Sequence, residues 1–334
     1  MQDVVEAVEA RAAQGERVGL AVLVRTERSS PKTPGALMAF TERGEIIGSL
    51  TGGCIEPALY EEAKTVLAGA APRIARFGIA HDDAFEVGLP CGGGVEILVG
   101  VLEPALAREL ASAVREKRPV ALAVWLSGKG TGRTELISGD NGVPAGVREL
   151  LRSGTTGTVD LDGDEVFVRP FLSRPRMYVF GAIDFASSVA WVGRFLGYHV
   201  TVCDARSRFV TRERFPDADE LVVEWPDRFL ERAPVDERTT IVVLTHDDKF
   251  DLPTLRIALR TRAGYVGAMG SRRTTERRAE LLRNEGLTDA ELARLHAPIG
   301  LPIASRSPEE VAVAIGAEII AEFVTRRVAL PTAH

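Results

Sequence analysis

Two short glycine-rich stretches, each holding a cysteine, are the strongest chemical signal in this sequence. The first is TGGC, which ends at Cys54, and the second is PCGGG, in which Cys91 precedes three glycines. The glycines considered are Gly52, Gly53, Gly92 and Gly93. Glycine lets backbone N–H groups approach an anion closely, so each loop could line an anionic ligand beside a thiol. Two such thiols would suit a soft metal centre or a phosphorylated cofactor. The alternative is structural, because free cysteine is often buried and glycine often marks only a tight turn.

Cys54 stands next to the start of a predicted helix, EPALYEEAKTVL. Pro57 fits an early helical position, where its missing N–H costs nothing. A thiol beside a helix N-terminus feels the positive end of the helix dipole and loses its proton more readily. The sequence therefore predicts that Cys54 is a usable thiolate near neutral pH.

A second candidate site lies in residues 176–206, which have the pattern of a strand, a glycine turn, a helix and a second strand. Gly181 makes the turn, and Asp204 follows the second strand, where dinucleotide-binding folds place the carboxylate that holds a ribose hydroxyl. The G-x-G-x-x-G fingerprint is incomplete, since Ile183 and Ala186 stand at its second and third glycine positions. A branched side chain at the second position hinders the approach of phosphate, which disfavours ordinary dinucleotide binding. Asp204 could hold a ribose or could simply cap a strand end.

The segment THDDKFD follows a predicted strand over residues 240–244. Open α/β sheets bind ligands at the carboxyl ends of their strands. His246 in this segment could act as an acid, a base or a hydrogen-bond donor. The alternative is a structural loop histidine.

The segment GSRRTTERR follows another predicted strand and begins a helix. Ser271, Arg272 and Arg273 could bind a phosphate through N–H groups and guanidinium groups. The alternative is a solvated basic helix face that continues through Arg277 and Arg278.

The helices and strands predicted around these residues fall into two groups. Residues 1–172 have a mixed pattern of helices, strands and hairpins, and residues 176–330 alternate strands with helices, as a parallel sheet covered on both faces does. We therefore predict an α/β protein with an N-terminal mixed α+β domain and a Rossmann-like C-terminal domain, joined by a linker over residues 173–175. The strands predicted for the first domain are 18–24, 36–40, 45–50, 73–79, 95–102, 120–126, 135–138, 157–160 and 165–168, and the helices are 2–14, the one after Cys54, and 104–116. The strands predicted for the second are 177–180, 200–203, 221–223, 240–244 and 265–268, and the helices are 185–196, 252–262, 274–285 and 308–326.

The length and composition of the chain limit the classes of protein to which it can belong. With 334 residues, the chain is long enough for two domains with separate cores. A net charge of -6 and the lack of a basic tract make nucleic acid an unexpected partner. We expect no membrane association and a cytoplasmic location, because no apolar stretch reaches the roughly 18–20 residues of a membrane helix and the first residues do not resemble a signal peptide. Three widely spaced cysteines fit neither a disulfide framework nor a paired zinc site.

Taken together, these segments resemble the XdhC/CoxI family, the accessory proteins of xanthine dehydrogenase and other molybdenum hydroxylases. The resemblance spans nearly the whole chain, and its segments keep the family's order and spacing. They are SSPKTPGALM, GSLTGGCIE, PCGGGVEIL, FGA, TVCDAR, LTHDDKFD, YVGAMGSRRTTERR and APIGLPIASRSPEEVAVAIGAEII. The chain departs from the family at residues 181–184, which are Gly-Ala-Ile-Asp where the family more often has Gly-Ala-Gly-His.

The resemblance implies a cofactor-binding chaperone rather than a catalyst. It implies that the protein binds molybdenum cofactor (molybdopterin), protects its sulfurated form and helps deliver it to an apo-hydroxylase client, commonly as a homodimer. On this sequence it makes Cys54 and Cys91 the expected cofactor contacts, with the Rossmann domain as a second ligand site or a docking surface. Two other hypotheses stay open. One is an NAD(P)-dependent oxidoreductase built on the C-terminal domain, and the other is a regulatory module that keeps the fold and binds neither ligand.

Overall fold

The computed structural model describes residues 2–28, 30, 32–78, 93–139 and 142–329. These residues form two compact units, the first ending at Ser173 and the second beginning at Arg174. None of the described helices is both long enough and apolar enough to span a bilayer.

The first unit contains two antiparallel sheets. The first sheet comprises β1 (Val18–Glu27), β2 (Leu37–Thr41), β3 (Ile46–Gly48), β4 (Arg73–Phe77) and β5 (Gly94–Leu102), in the order β3-β2-β1-β5-β4. The second comprises β6 (Val120–Trp125), β7 (Thr134–Ser138), β8 (Gly157–Leu161) and β9 (Asp164–Phe171), in the order β7-β6-β9-β8. The helices are α1 (Gln2–Ala13), α2 (Glu56–Leu67), α3 (Pro104–Arg115) and α4 (Ala145–Ser153), with a short 3-10 helix at Gly128–Gly130.

Strand β1 shows how the sequence places the core of this unit. Successive side chains of a strand point to opposite faces. Leu20 and Val22 enter a buried cluster that also includes residues of the second sheet, whereas Ala21 and Leu23 enter the cluster beneath α2. Because both faces of the strand are covered, its residues form a continuous apolar run rather than an alternating one.

The second unit is a doubly wound parallel sheet. Its strands are β10 (Arg176–Phe180), β11 (His199–Cys203), β12 (Glu220–Val222), β13 (Thr240–Val243), β14 (Tyr265–Ala268) and β15 (Leu295–His296). Its helices are α5 (Asp184–Phe195), α6 (Pro226–Arg232), α7 (Asp248–Ala258), α8 (Arg272–Asn284), α9 (Asp289–Leu292) and α10 (Pro308–Ala329). All strand pairs are parallel, in the order β12-β11-β10-β13-β14-β15. This is the Rossmann order, in which the chain winds outward in both directions from its first strand.

Alternate residues of β10 separate the two cores of this sheet. Met177 and Val179 pack in the cluster that includes α5 and α10, and Tyr178 and Phe180 pack in the cluster on the opposite face, which includes α6 and α7. The predicted fold class, a mixed α+β region followed by a Rossmann-like parallel sheet, is confirmed.

Four short elements were not predicted, namely α4, α6, α9 and β15. In addition, α7 begins earlier than its apolar pattern indicates. Asp247 caps that helix, because its carboxylate accepts a hydrogen bond from the Lys249 N–H at 3.1 Å.

Candidate functional site

The carboxylate of Glu56, in the first turn of α2, organises the TGGC loop. Its Oε1 accepts hydrogen bonds from the N–H groups of Leu50 and Thr51 at 3.1 and 2.9 Å. Its Oε2 accepts hydrogen bonds from the N–H groups of Gly53 and Ile55 at 2.9 and 3.2 Å. The backbone of the loop therefore wraps around an anion that the chain itself supplies.

Two hydroxyl groups complete the surroundings of this carboxylate. Ser49 Oγ donates to Oε1 and Thr51 Oγ1 donates to Oε2, each at 2.8 Å. Burial of the carboxyl group opposes ionisation, but the hydrogen bonds from Thr51 and Ser49 outweigh it and lower the pKa of Glu56 to about 2. Glu56 is thus a carboxylate at neutral pH, held by neutral donors.

Gly52 and Gly53 are required by the backbone of the loop. Their φ angles are +83° and +113°, a region that side chains disfavour, while a Cβ at either position would meet nothing within 4 Å. Their N–H groups donate to Ser49 Oγ and to Glu56 Oε2, both at 2.9 Å. An external anion would therefore have to displace Ser49 Oγ and Glu56 Oε2 from these two amides, and the binding role of Gly52 and Gly53 stays a prediction.

Cys54 is an exposed free thiol on this loop, directly before Ile55, the N-cap residue of α2. The loop is fixed on both sides of the cysteine, because Gly53 and Ile55 both donate to Glu56. Lys32 adds a cation that sequence reasoning missed, since its Nζ donates to the Ser49 carbonyl oxygen at 2.9 Å. The signal was available, because Lys32 is the charged residue of the SSPKTPG segment.

Part of the second cysteine loop is described. Cys91 and Gly92 lie outside the described residues, so their predicted role is untested. Gly93 is buried just before β5, and its carbonyl oxygen lies so close to Gly78 that a Cβ there would clash. Within the described part of the chain, no group of three or more His, Cys, Asp or Glu residues could hold a metal ion.

In the second unit, Gly181 forms the turn that follows β10. Its φ is +105°, and a Cβ at this position would lie 2.7 Å from Cγ2 and 3.1 Å from the backbone nitrogen of Thr245. The turn after β10 therefore touches the end of β13. This is the switch point of the sheet, where doubly wound folds open their ligand crevice.

Asp204 ties this turn to the end of β11. Its Oδ2 accepts the Ala182 N–H at 2.8 Å and Arg206 Nη2 at 2.7 Å, and its Oδ1 accepts Arg206 N and Nε, both at 2.9 Å. Burial opposes ionisation of Asp204, but the hydrogen bonds from Arg206 and Ala182 outweigh it and lower the pKa. A ribose hydroxyl would have to displace these internal partners, and a role of Asp204 in holding a ribose stays a prediction.

Arg214 covers the turn from the other side. Its Nη1 donates to the Ala182 carbonyl oxygen at 3.1 Å, and its Nη2 pairs with Asp184 at 3.2 Å. Ile183 stands between these two residues as the N-cap of α5, with no side-chain oxygen to offer. This local arrangement differs from a turn that receives a pyrophosphate.

His246 is exposed at the end of β13, and beside it lies a buried polar network. Thr245 Oγ1 donates to Asp251, which forms an ion pair with Arg278 at 2.7 Å. Arg278 also donates to the Met269 carbonyl oxygen at 3.1 Å. Burial raises the pKa of Asp251, and this effect exceeds the opposite effect of Thr245 and Arg278. The alternative that Arg278 continues a solvated face is wrong, because its side chain is only 1% exposed.

Ser271 begins α8 as its N-cap, where its Oγ accepts the Thr274 N–H at 3.1 Å. Arg272 and Arg273 are exposed in the first turn, and Arg277 is exposed further along the helix. The structure thus brings several predicted residues to the carboxyl edge of the parallel sheet. They are Gly181, Asp204, His246, Ser271, Arg272 and Arg273.

Comparison with known proteins identifies the two units. The family model described as the XdhC Rossmann domain matches residues 177–319, and the model of the XdhC and CoxI family matches residues 11–78. A Bacillus subtilis protein named as a probable subunit of xanthine dehydrogenase is 26% identical over 316 residues, covering 91% of this chain and 93% of that protein. The molybdenum cofactor insertion chaperone PaoD of Escherichia coli is 27% identical over 308 residues, covering 91% of this chain and 83% of PaoD.

A solved structure has a similar fold over nearly its whole length. It is a protein of Bacillus halodurans described as a xanthine dehydrogenase, which is 25% identical, with a TM-score of 0.72 and 98% of each chain covered. The agreement in sequence and in fold extends over both units. This chain therefore belongs to the XdhC and CoxI family.

Proposed function

We propose that this chain is a maturation factor that binds the molybdenum cofactor and assists its insertion into a molybdenum hydroxylase such as xanthine dehydrogenase. The observation that carries the proposal is the match, over most of both chains, to a protein named as a molybdenum cofactor insertion chaperone. We place its action in the cytoplasm, as a homodimer that meets an apo-hydroxylase client. The role is that of a cofactor-binding chaperone rather than a catalyst.

Within this proposal, Cys54 is the contact to the soft, metal-bearing end of the cofactor. Its thiol is free and exposed, and the hydrogen bonds to Glu56 hold the loop that presents it. Thiolate is a ligand type that soft metal centres select. A site whose backbone is fixed before binding loses less conformational entropy when the ligand arrives. Cys91, with Gly92, is a predicted second contact.

Lys32 provides a cation for the anionic end of the cofactor. Its side chain is exposed, and its Nζ is held beside the loop by the Ser49 carbonyl oxygen. An ammonium group has three donors, so the bond to Ser49 leaves others for a phosphate. Since Ser49 Oγ and Glu56 Oε2 accept the N–H groups of Gly52 and Gly53, this cation rather than those two amides supports phosphate binding here.

A transfer assay tests the proposal. The purified chain is loaded with molybdenum cofactor and mixed with an apo-hydroxylase, and the recovered hydroxylase activity is compared with that from free cofactor. We expect the loaded chain to activate the client more completely, and Lys32→Ala to reduce the amount of cofactor carried. Lys129→Ala is the matched control, because Lys129 is also an exposed lysine of the first unit. Failure to carry cofactor, or activation no better than by free cofactor, would contradict the proposal.

An NAD(P)-binding oxidoreductase is the second candidate, and the strand order of the second unit favours it. Against it stand Ile183 in the turn and the bonds of Asp204 to Arg206 and Ala182. Titration with NAD(P)H, followed by energy transfer from Trp191 or Trp225, separates the candidates. We expect no saturable transfer, and tight saturable transfer would favour the oxidoreductase.

A further inference from the structure

Arg169 is a buried cation in the second sheet of the first unit. It lies on β9 opposite Leu122 of β6, and only 6% of its surface is exposed. Phe167, two residues earlier and so on the same face of β9, packs in a cluster that contains residues of both sheets. Burial lowers the pKa of Arg169 to about 10, which leaves it cationic at neutral pH. Because a buried charge is costly unless it is hydrogen-bonded, its acceptors indicate what this side chain does.

The side chain of Arg169 reaches the loop that joins β1 to β2. Its Nε donates to the Gly35 carbonyl oxygen, and its Cζ lies 4.1 Å from the centroid of the Phe171 ring. Stacking on an aromatic ring fixes the plane of a guanidinium group. A hydrogen bond from a charged donor is roughly twice as strong as one between neutral groups. Arg169 therefore ties this loop of the first sheet to a strand of the second sheet.

The loop approaches the second sheet closely at Gly35. A Cβ at this position would lie 3.0 Å from Thr156 Oγ1 and 3.5 Å from Arg169 Nε, and the φ angle is +96°. The Gly35 N–H donates to the Leu23 carbonyl oxygen of β1 at 2.7 Å. The peptide groups on both sides of this residue are thus held, one by β1 and the other by Arg169.

Lys32 stands three residues before Gly35 in the same loop. Between them the backbone makes a turn, in which the Ala36 N–H donates to the Thr33 carbonyl oxygen at 3.3 Å. The Lys32 side chain in turn donates to the Ser49 carbonyl oxygen at 2.9 Å. The position of the Lys32 ammonium group therefore depends on where the loop backbone is held.

We infer that Arg169 is a positioning residue for the cofactor, because by holding Gly35 it keeps Lys32 beside the TGGC loop, where Lys32 meets the phosphate. The inference rests on the role proposed above for Lys32. Arg169 is buried and acts through the loop rather than by touching the ligand. A cation that is fixed before binding loses less conformational entropy when the phosphate arrives. Removing Arg169 should therefore weaken binding although every group that contacts the cofactor is retained.

The cofactor affinities of four proteins test whether Arg169 acts through Lys32. Molybdenum cofactor is titrated into the wild type, Arg169→Met, Lys32→Ala and the variant with both changes. We expect each single change to raise the dissociation constant about fivefold to tenfold. The double variant should lie within about twofold of Lys32→Ala, because the position of the loop no longer matters once the ammonium group is gone. Independent effects that multiply in the double variant would overturn the inference.

Arg25→Met is the matched control for this titration. Arg25 of β1 also links the first sheet to β9, because its Nη2 donates to Glu165 at 2.6 Å. Its loss removes an arginine that connects the same two sheets but leaves the bond from Arg169 to Gly35 in place. The dissociation constant of this variant should stay within about twofold of the wild type. A loss of affinity as large as that of Arg169→Met would show that any weakened contact between the sheets has this effect, which would also overturn the inference.

Hydrogen–deuterium exchange in the absence of cofactor measures the hold on the loop directly. In Arg169→Met the amides of Gly35 and Ala36 should exchange at least about tenfold faster than in the wild type. The amides of Gly53 and Ile55 should keep their wild-type rates, because Glu56 holds them independently. Unchanged exchange at Gly35 and Ala36 would overturn the inference.

Gly35→Ala approaches the same contact from the loop and serves if Arg169→Met does not fold. Its Cβ would press on Thr156, so it should release the loop while Arg169 is retained, with the same loss of cofactor affinity and faster exchange at Ala36. Faster exchange with unchanged affinity overturns the positioning role and leaves the proposed function intact. A wild type that binds no cofactor overturns the proposed function, and exchange alone then decides whether Arg169 holds the loop.

Discussion

Each unit contains a glycine turn that leads into a helix and is fixed by a carboxylate of the chain, but the two carboxylates are held differently. Glu56 accepts four backbone N–H groups and two hydroxyl groups, all of them neutral. Asp204 accepts one N–H from the turn and is otherwise bonded to Arg206. In both units a carboxylate of the chain itself therefore accepts the N–H groups of the turn, but the two carboxylates differ in the number of turn amides they accept and in the charge of their other donors.

Other carboxylates along the carboxyl edge of the parallel sheet are also paired with arginines. Asp184 pairs with Arg214, and Asp251 pairs with the buried Arg278. A ligand entering this edge must compete with ion pairs. The loop of Glu56 instead keeps its amides occupied and presents an exposed thiol, which makes it the better candidate for a soft cofactor.

Breaking the buried ion pair between Arg278 and Asp251 should destabilise the protein most. Arg278→Met leaves the carboxylate of Asp251 buried without its cation, and we expect a loss of about 3–5 kcal/mol in the free energy of unfolding. Denaturant titration measures it. Arg277→Met is the control and should cost less than about 1 kcal/mol, because Arg277 pairs with Asp248 on the surface. Equal losses in the two variants would show that burial of the pair is unimportant.

Replacing the carboxylate in the first unit should cost somewhat less. Glu56→Gln keeps the shape of the side chain but removes its charge and one of the two oxygens that accept the six hydrogen bonds. We therefore expect a loss of about 2–3 kcal/mol in the free energy of unfolding. Glu61→Gln, an exposed position on the same helix, should change stability by less than about 0.5 kcal/mol. If Glu56→Gln and Glu61→Gln lower the free energy of unfolding by the same amount, Glu56 does not fix the loop.

The stability difference between the wild type and Glu56→Gln should depend on pH. The pKa of Glu56 is lowered from 4.5 to about 2 by folding, so its contribution is present above pH 4.5 and is lost as the pH falls toward 2. The stability difference between wild type and Glu56→Gln should therefore be constant at neutral pH and should shrink across that window. A difference that is independent of pH would mean that the charge of Glu56 plays no part.

The two described thiols, Cys54 and Cys203, should differ in reactivity because they differ in exposure. Cys54 is exposed, whereas Cys203 is buried and its pKa is raised to about 12 by burial and by nearby Glu224 and Asp204. We expect iodoacetamide to modify Cys54 at least roughly a hundredfold faster than Cys203 in the native protein, with similar rates after unfolding. Mass spectrometry of the modified peptides gives both rates. Comparable native rates would contradict the burial of Cys203.

Sequence periodicity was enough for the Rossmann unit, because its strands are buried on both faces and are separated by amphipathic helices. It missed α6, α9 and β15, whose few residues are too short to show a period. One of its two interpretations of GSRRTTERR left Arg278 on a solvated face, since a helical pattern does not reveal that Asp251 of another helix lies opposite. Tertiary contacts of this kind are absent from local patterns.

The sequence identifies the TGGC loop as the turn before α2, but it does not show which group holds the loop. The glycines and Cys54 stand out by type, and their N–H groups were considered for an external ligand, with a purely structural turn as the alternative. The local clue was Glu56, an acidic residue in the first turn of the following helix, where carboxylates commonly accept backbone N–H groups. A glycine turn should therefore be checked for a nearby carboxylate of its own before a ligand is inferred.

Binding of molybdenum cofactor to the wild type and to Cys54→Ser is the most direct test of the proposed role. We expect a dissociation constant of about 1 µM or tighter for the wild type and at least about tenfold weaker binding for Cys54→Ser. Thermal stability should be unchanged, because the thiol is exposed. Equal affinity of the two proteins would contradict the assignment of Cys54 as the cofactor contact.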